Sequence, residues 1–347
     1  MSGGVDSSVA AALLKSRGFD VVGVFMKFWQ APSDKSKKWN RCCSVESANR
    51  ARLVCKQLDI PFYVLNVEKE FKKHIVDYFL KEYKQGRTPN PCVVCNKEIK
   101  FGLLLKKALE LKADYVATGH YAQMEEGKLL VGKDKQKDQS YFLWQLGQKE
   151  LKKILFPVGG YTKPEVRIIA KKFKLPTAST PESQEVCFIE TTTFDFLNKY
   201  LKQKSGDIVS YDKKYGVGPR TLTGKHKGLW FYTIGQRKGI GLSGGPYYVV
   251  EKDFKNNILL VSKSKKDLEK KEIMIKDVSW VSGKAPSAST KLKAQIRYNT
   301  KPDLVKIKKI SAKRYKVIFN KPQTAVASGQ SLVFYSNKEL LGGGVIV

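Results

Sequence analysis

The sequence predicts an α/β protein: a doubly wound parallel sheet, followed by a small central domain and a C-terminal β-barrel. In the first third of the chain, short apolar segments alternate with helical patterns, which is typical of a parallel sheet built from β-α-β units. After about residue 204 the composition shifts to glycine, tyrosine and short strands. From about residue 265, short strands and turns recur at regular spacing, which favours a small closed or nearly closed barrel.

Hydrophobic periodicity places the elements of the N-terminal sheet. Apolar runs predict strands at 21–28, 61–67 and 115–118, and amphipathic patterns predict helices at 44–58, 68–85 and 96–111. In doubly wound sheets, ligands bind at the carboxyl ends of the strands. We therefore expect the N-terminal loop 2–8, Met26 and the pair Gly119–His120 to lie close together.

Two more helix starts follow. The polar segment 137–141 begins one helix, and by itself it is a solvated basic turn. A capping box that starts at Thr162 begins another helix, which runs through Phe173 and carries no functional signal of its own.

The second half of the chain is predicted to be mostly strand. Strands are expected at 207–210, 230–234, 247–251 and 258–261, and then at 273–278, 292–298, 305–310, 315–319, 331–335 and 344–347. Two basic, glycine-rich segments, 224–228 and 235–239, flank Trp230, Phe231 and Tyr232 and suit contact with an RNA backbone. We divide the chain into a catalytic domain (1–200), a central domain (201–264) and a barrel domain (265–347).

The first eight residues, Met-Ser-Gly-Gly-Val-Asp-Ser-Ser, form a candidate phosphate cradle. Gly3 and Gly4 allow a tight backbone turn, and Ser7 and Ser8 lie in the first turn of a helix, where unpaired N–H groups favour an anion. Asp6 adds a carboxylate for capping or for a metal ion. A plain glycine-serine turn that caps a surface helix is the alternative.

Charge is the outlying property of the composition. The chain has 347 residues with 64 Lys plus Arg against 32 Asp plus Glu, which gives a net charge of +32 and a pI of about 9.8. This excess favours a polyanionic partner, with nucleic acid first, although a lysine-rich solvated surface is the alternative. No apolar run approaches the roughly 18 residues that span a membrane, so we expect a soluble, cytoplasmic protein.

Six cysteines occur, at 42, 43, 55, 92, 95 and 187. A long chain without a secretory signal is not a disulfide scaffold, so reactive or metal-binding roles remain. Cys55 fits the apolar face of a helix, whereas nothing near Cys42 and Cys43 indicates chemistry. The single Cys-x-x-Cys, Cys92 to Cys95, disfavours a structural zinc site because no second pair accompanies it.

Two of the cysteines are placed for reactivity. Cys95 is predicted at a helix N-terminus with Lys97 and Lys100 nearby, an environment that lowers the pKa of a thiol. Cys187 lies in the polar segment 178–190, and a thiol on a loop can travel between partners.

No Walker A string occurs, which excludes a P-loop kinase or GTPase.

Taken together, these segments resemble the tRNA-specific 2-thiouridylases of bacteria and mitochondria. SGGVDSS resembles the PP-loop of the ATP pyrophosphatase superfamily, and the resemblance continues through the chain in the strings GRTPNPCVVCNKEIKFG, ATGHY, KDQSYFL, SQEVCFIE, YTIGQRKGIG and LGGGVIV. It implies an adenine-nucleotide α-hydrolase-like catalytic domain, with ATP and Mg²⁺ as cofactors.

The resemblance also implies roles for individual residues. Cys95 is the nucleophile and Cys187 carries the persulfide. ATP is bound by Ser2, Gly3, Gly4, Val5, Asp6, Ser7, Ser8, Met26 and Gly119. Target-base and tRNA contacts come from Asn90, Pro91, Cys92, His120, Lys137, Asp138, Gln139, Arg297, Tyr298 and Gln330.

The activity implied is ATP-dependent 2-thiolation of the wobble uridine, by a tRNA-uridine 2-sulfurtransferase that adenylates the C2 carbonyl oxygen and releases AMP and pyrophosphate. The partners implied are tRNA and a sulfur donor, either a cysteine desulfurase or a sulfur-relay protein; the chain is expected to be a monomer and to have no membrane contact. Another PP-loop ATP pyrophosphatase, tRNA-modifying or amide-forming, and a catalytically impaired tRNA-binding protein are the alternatives.

Two features depart from the family pattern. Relatives have a β-strand immediately before the loop, whereas the sequence given begins at Met1 and lacks that strand. Many relatives have Asp where this chain has Cys92, so three thiols, Cys92, Cys95 and Cys187, are candidate ligands of a [4Fe-4S] cluster with one open iron.

Overall fold

A computed structural model describes residues 1–31, 44–181, 186–210 and 221–347. The α-helices are α1 Val5–Ser16, α2 Val45–Gln57, α3 Glu68–Phe71, α4 Asp77–Lys84, α5 Pro91–Cys95, α6 Leu104–Glu110, α7 Gln148–Leu151, α8 Lys163–Lys172 and α9 Thr193–Tyr200. Two π-helical segments, Lys72–Val76 and Asn96–Leu103, join α3 to α4 and α5 to α6. Short 3₁₀ helices cover Ser140–Leu143, Leu229–Phe231 and Lys265–Leu268.

The strands fall into three regions of the chain. In the N-terminal region they are β1 Gly23–Lys27, β2 Phe62–Asn66, β3 Val116–Ala117, β4 Ala122–Glu125, β5 Lys128–Val131 and β6 Ile154–Leu155. In the central region they are β7 Gly206–Ser210, β8 Thr221–His226, β9 Tyr248–Asp253 and β10 Ile258–Ser262. In the last region they are β11 Lys270–Trp280, β12 Lys293–Gln295, β13 Asp303–Ser311, β14 Arg314–Gln323, β15 Ser331–Ser336 and β16 Glu339–Ile346.

The N-terminal region contains the parallel strands that the sequence predicts. β1 pairs in parallel with β2, and β3 pairs in parallel with β6. Within the described residues these are two separate two-stranded sheets. Helix α1 packs against α8 through a buried apolar face that includes Val9 and Ala12, and Gly18 follows it at a φ of 83°.

Two helix starts agree with the sequence and one differs. Ser44 caps α2 by accepting from the Ser47 amide, and Thr162 forms the expected capping box with Glu165. The helix predicted from residue 96, however, begins earlier, at Pro91, with Asn90 as its N-cap. Proline suits that first position because its missing N–H has no intrahelical partner there.

The central region is a four-stranded sheet of order β8-β7-β10-β9. The strand predicted at 230–234 is wrong, because Leu229–Phe231 is a 3₁₀ helix. Phe231 and Tyr232 are buried in a hydrophobic cluster, so these rings belong to the core rather than to an exposed RNA-stacking surface.

The last region is a closed six-stranded barrel, which confirms the prediction. Its strands pair in the ring β11-β14-β13-β12-β15-β16, and β16 returns to pair with β11. The β4–β5 hairpin of the N-terminal region adds to this sheet through Leu130 and Glu339. The barrel is therefore attached to the N-terminal region by strand pairing as well as by packing.

Over the described residues, no helix combines the length and the apolar character needed to cross a membrane.

Candidate active site

The N-terminal loop has the geometry of an anion cradle. Gly3 has a φ of 73°, and a Cβ there would collide with the Ser47 carbonyl, so only glycine fits. Gly4 is the extended N-cap of α1, and no side chain caps the first-turn N–H groups. Ser7 and Ser8 donate their hydroxyls to the Gly4 carbonyl oxygen at 3.1 and 2.9 Å. The loop is thus held by its own hydroxyls. Because no side chain caps the first-turn amides of α1, these N–H groups remain available to donate hydrogen bonds to an anion.

Asp6 is neutralised by a lysine from a distant helix. The Lys163 ammonium lies 2.7 and 2.8 Å from the two carboxylate oxygens of Asp6, and the Tyr121 hydroxyl donates to the same carboxylate at 2.7 Å. Lys163 is only 8% exposed and opens α8. The capping box at Thr162, interpreted from sequence as structural only, therefore also delivers a buried cation to the loop.

Arg50 is a second cation behind the loop. From α2 it donates through Nε to the Gly3 carbonyl oxygen at 3.1 Å and through Nη2 to the Ser47 hydroxyl at 2.8 Å. Neither Arg50 nor Lys163 is predicted as a site residue from the sequence. Neither belongs to a local motif, and both reach the loop only in the folded chain.

Gly119 reaches the loop as expected, whereas the neighbouring His120 contacts Thr118 and Lys100. A Cβ on Gly119 would lie 2.7 Å from the carbonyl carbon of Asp6 and from the Ser7 nitrogen, so glycine permits the close approach. His120 is buried, with Nδ1 2.7 Å from the Thr118 hydroxyl and Nε2 3.4 Å from the Lys100 ammonium. Burial and Lys100 hold the pKa of His120 well below its usual value.

The hydrogen bonds of His120 define its tautomer. An ammonium only donates, so Nε2 accepts from Lys100 and the ring proton lies on Nδ1, which donates to Thr118. His120 is thus a neutral imidazole fixed between the strand end and the helix that follows the cysteines.

Met26 lies near the carboxyl end of β1, paired with Leu65. It packs against a hydrophobic cluster that contains Cys95, and Cys187 packs against the same cluster. The structure thus brings the two cysteines expected to be catalytic to one apolar region. Cys187 is half-buried beside the fully buried Phe188, which anchors this end of its segment.

The environment of Cys95 differs from the prediction. Cys95 is the last residue of α5 rather than the first of a helix, and it is 7% exposed. Burial raises the pKa of its thiol to about 11, and the nearby Lys100 opposes this shift only in part. The expected activation by a helix N-terminus is therefore wrong for this conformation, in which Cys95 is a protonated thiol at neutral pH.

The remaining cysteines are simply placed. Cys92 is exposed on the first turn of α5, and Cys55 is buried in the core as predicted. Cys55, Cys92, Cys95 and Cys187 are all thiols. Cys42 and Cys43 lie outside the described residues. No cluster of three or more His, Cys, Asp or Glu is close enough to hold a metal ion in the described part of the chain.

Residues expected at the tRNA interface lie in two groups. Asp138 is largely buried and accepts from the Gly132 amide at 2.8 Å and from the Ser140 hydroxyl at 2.8 Å, and burial raises the pKa of its carboxyl. The Gln139 side chain accepts from the Tyr121 amide at 3.1 Å. Both side chains already hold the chain around β4 and the following 3₁₀ helix, next to the half-buried Lys137.

The second group lies on the barrel side. The ring of Tyr298 packs 4.6 Å from that of Phe142, and Arg297 beside it is exposed. Gln330 donates through Nε2 to the carbonyl oxygens of Thr88 and Pro89 at 3.0 and 3.3 Å. The barrel therefore contacts the segment that leads to Asn90, Pro91 and Cys92.

Three family models match the chain in succession. Residues 1–191 match a model described as a tRNA methyl transferase HUP domain, residues 194–263 a tRNA methyl transferase PRC-barrel domain, and residues 270–346 an aminomethyltransferase beta-barrel domain. The curated relatives carry a different name. The chain is 44% identical to the tRNA-specific 2-thiouridylase of Carboxydothermus hydrogenoformans, across 100% of this chain and 96% of that protein. It is 45% identical to the protein of the same name from Alkaliphilus oremlandii, across 100% and 95%, and 42% identical to that of Clostridioides difficile, across 100% and 96%.

Proposed function

The chain belongs to the tRNA-specific 2-thiouridylase family, and from this premise we propose that it replaces O2 of the tRNA wobble uridine by sulfur in an ATP-dependent reaction. The observation that carries the proposal is the pairing of a glycine-capped phosphate loop with two thiols packed at one hydrophobic cluster. The family models are described as tRNA methyl transferases, but methyl transfer requires neither an ATP-binding phosphate loop nor a pair of thiols. Sulfur transfer to an unreactive carbonyl needs both.

ATP activates the base in the first step. O2 of the uridine attacks the α-phosphate, pyrophosphate leaves, and an adenylated base results. The uncapped N–H groups of α1 face the phosphate charge, and Arg50 and Lys163 supply positive charge beside the loop. Mg²⁺ is the expected counter-ion of the triphosphate. Asp6, its candidate ligand, is engaged by Lys163 and Tyr121, so metal binding there requires Lys163 to release the carboxylate.

Sulfur arrives as a persulfide on Cys187 in the second step. The terminal sulfur bonds to C2 while the Cys95 thiolate attacks the Cys187 sulfur, so the persulfide bond breaks and a Cys95–Cys187 disulfide forms. AMP leaves with the former O2. An external dithiol reductant then restores the two thiols. Because burial raises the pKa of Cys95, loss of its proton is part of this step.

The tRNA contacts belong to the same proposal. Asn90, Pro91 and Cys92 lie at the start of α5 and meet the target base. His120, Lys137, Asp138, Gln139, Arg297, Tyr298 and Gln330 line the tRNA path. The excess of basic residues predicts that tRNA affinity falls steeply with salt concentration, because phosphate contacts release counter-ions.

We retain the division into a catalytic domain (1–200), a central tRNA-binding domain (201–264) and a barrel domain (265–347). A cytoplasmic monomer that receives sulfur from a cysteine desulfurase or a sulfur-relay protein completes the proposal.

The test is a thiolation assay with tRNA, ATP, Mg²⁺ and a persulfide donor. We expect 2-thiouridine and AMP in equal amounts from the wild type and no 2-thiouridine from Cys95→Ser or Cys187→Ser. Cys55→Ala, at a buried thiol that has no role in the proposed sulfur transfer, is the matched control. Full thiolation by both serine variants would disprove these roles, and AMP without 2-thiouridine in the wild type would favour a different PP-loop enzyme. Binding of tRNA without AMP formation would favour a non-catalytic protein.

A [4Fe-4S] cluster on Cys92, Cys95 and Cys187 is the alternative sulfur carrier. The donor set does not fit in this conformation, because no group of three such residues converges in the described chain and Cys95 is a buried, protonated thiol. Anaerobic reconstitution discriminates the two: absorbance near ~400 nm in the wild type but not in Cys92→Asp would support the cluster.

A further inference from the structure

The segment 86–90, which we term the entry loop, lies between α4 and α5 and leads directly into the two cysteines of α5. Pro89 and Pro91 restrict the backbone on either side of Asn90. A displacement at the start of the entry loop is therefore passed on to α5, because the stiff proline segment has little freedom to absorb it.

The central domain holds the entry loop on one side. The Lys252 ammonium donates to the carbonyl oxygens of Gly86 and Tyr232 at 2.5 and 2.9 Å. The hydroxyls of Thr88 and Thr233 lie 3.1 Å apart. Gly86 has a φ of 77° and packs so closely on the Phe254 ring that a Cβ would collide with it.

The barrel holds the same loop on the other side. The Thr88 amide donates to the Ser328 carbonyl oxygen at 2.8 Å, and Gln330 donates to the carbonyls of Thr88 and Pro89. Gly329, at a φ of 92°, packs against Thr88 at a distance that a side chain would not allow. Backbone groups of the entry loop are thus hydrogen-bonded to the central domain and to the barrel, the two accessory domains, at once.

Lys252 is the only charged side chain among these contacts. It takes part in none of the ion pairs found among the described residues, and its charge is met by two carbonyl dipoles. Burial lowers the pKa of Lys252 to about 8. A buried ammonium without a carboxylate is costly to keep, so a role beyond packing is expected of it.

We propose that Lys252 is a positioning residue that fixes the entry loop and thereby places Cys92 and Cys95 against the bound base. The inference rests on the proposed function and adds to it a way for the central domain to control the chemical step. A tRNA that engages the accessory domains then presents its base to an α5 whose start is already fixed.

The test is Lys252→Met, which keeps the length of the side chain but removes its charge and donors, with Lys255→Met at an exposed position after the same strand as the control. We expect kcat for thiolation to fall by about 10–100-fold, the scale for a misplaced reacting group, with an unchanged KM for tRNA. Lys255→Met should behave as the wild type. Equal kcat values for the two variants would overturn the proposal.

Two further readouts separate positioning from simple loss of stability. Amides of 86–95 should exchange with solvent faster in Lys252→Met than in the control, a result that does not depend on the nature of the reaction. If Lys252→Met does not fold, Thr233→Val, which removes the hydroxyl contact to Thr88, replaces it in the same exchange experiment. Unchanged amide exchange in 86–95 would refute the role of Lys252 in fixing the entry loop. Failure of the wild type to thiolate tRNA would refute only the proposed function.

The pH profile is the third readout. Loss of the Lys252 proton above pH about 8 should lower kcat of the wild type relative to that of Lys252→Met, so the ratio of the two kcat values should fall. The ratio cancels the loss of the Cys95 proton, which both proteins share. Burial raises the pKa of Tyr83 to about 12 and also raises that of Tyr232, and Arg87 is paired with Glu82, so these groups keep their charge near pH 8. A ratio that does not change with pH would contradict the proposal.

Discussion

Lys163 and Asp6 are 157 residues apart in the chain, and their side chains form a two-oxygen ion pair with distances of 2.7 and 2.8 Å at the phosphate loop. The pair joins the first turn of α1 to the first residue of α8. Asp6 therefore does not repel an incoming triphosphate, because its charge is already balanced. The ion pair also keeps a cation at the loop before ATP arrives.

Lys163→Met should raise the KM for ATP by about 10–100-fold, since hydrogen bonds to charged groups contribute about 1.5–3 kcal/mol and the variant leaves Asp6 uncompensated beside the phosphates. Lys171→Met, at an exposed position of the same helix, is the matched control. ATP-dependent pyrophosphate release measures the effect. Equal KM values for the two variants would contradict a role of Lys163 at the phosphates.

Gly119→Ala should abolish ATP binding while leaving the protein folded. The added Cβ would lie 2.7 Å from backbone atoms of Asp6 and Ser7, so the loop itself must move. Gly160→Ala, where a Cβ meets nothing within 4 Å, is the control. Calorimetric titration with ATP distinguishes them, and wild-type affinity in Gly119→Ala would show that the loop tolerates the shift.

The thiol of Cys95 should react slowly with iodoacetamide at neutral pH, because its pKa is raised to about 11 by burial. Its rate should rise with pH up to that value, and Cys92, exposed on the same helix, serves as the internal reference. Peptide mass spectrometry reads both sites in one sample. Rapid alkylation of Cys95 at pH 7 would show that it is activated even without substrates.

The same raised pKa has a consequence for folding. The unfolded chain releases the Cys95 proton near its ordinary value of 9.0, whereas the folded chain keeps it to about 11. Stability contributed by the buried neutral thiol is therefore complete below pH 9.0 and lost as pH rises through about 11. Cys95→Ala should reduce this alkaline loss of stability in chemical unfolding, and an identical pH dependence would argue against burial as the cause.

Asp138→Ala should destabilise the fold by about 1–3 kcal/mol, the cost of unsatisfied buried donors, since the Gly132 amide and both Ser140 donors lose their acceptor. Lys137→Ala at the neighbouring position should change tRNA affinity with little effect on stability. Urea unfolding and tRNA binding measured on both variants test this division. Loss of tRNA affinity in Asp138→Ala without any loss of stability would show that Asp138 acts by contacting tRNA rather than by holding the fold.

The sequence by itself determined the features that depend on neighbours along the chain. The glycine loop, the helix that begins after Ser44, the capping box at Thr162, the parallel strands and the closed barrel follow from local backbone preferences and hydrophobic periodicity, and the structure contains each of them. The family was also recognisable from the sequence, because its motifs are short local strings. The full-length match to 2-thiouridylases gives the same family.

Only the tertiary structure decided which distant groups meet and which become buried. Lys163 reaches Asp6, Arg50 reaches Gly3, and Lys252 reaches the entry loop through contacts between elements that no local pattern encodes. Cys95 shows the same limit for chemistry: its neighbours in sequence favour a low pKa, but the core packed around it raises the pKa instead. A pKa depends on solvation by the whole fold, and solvation is fixed only once the chain has closed around the group.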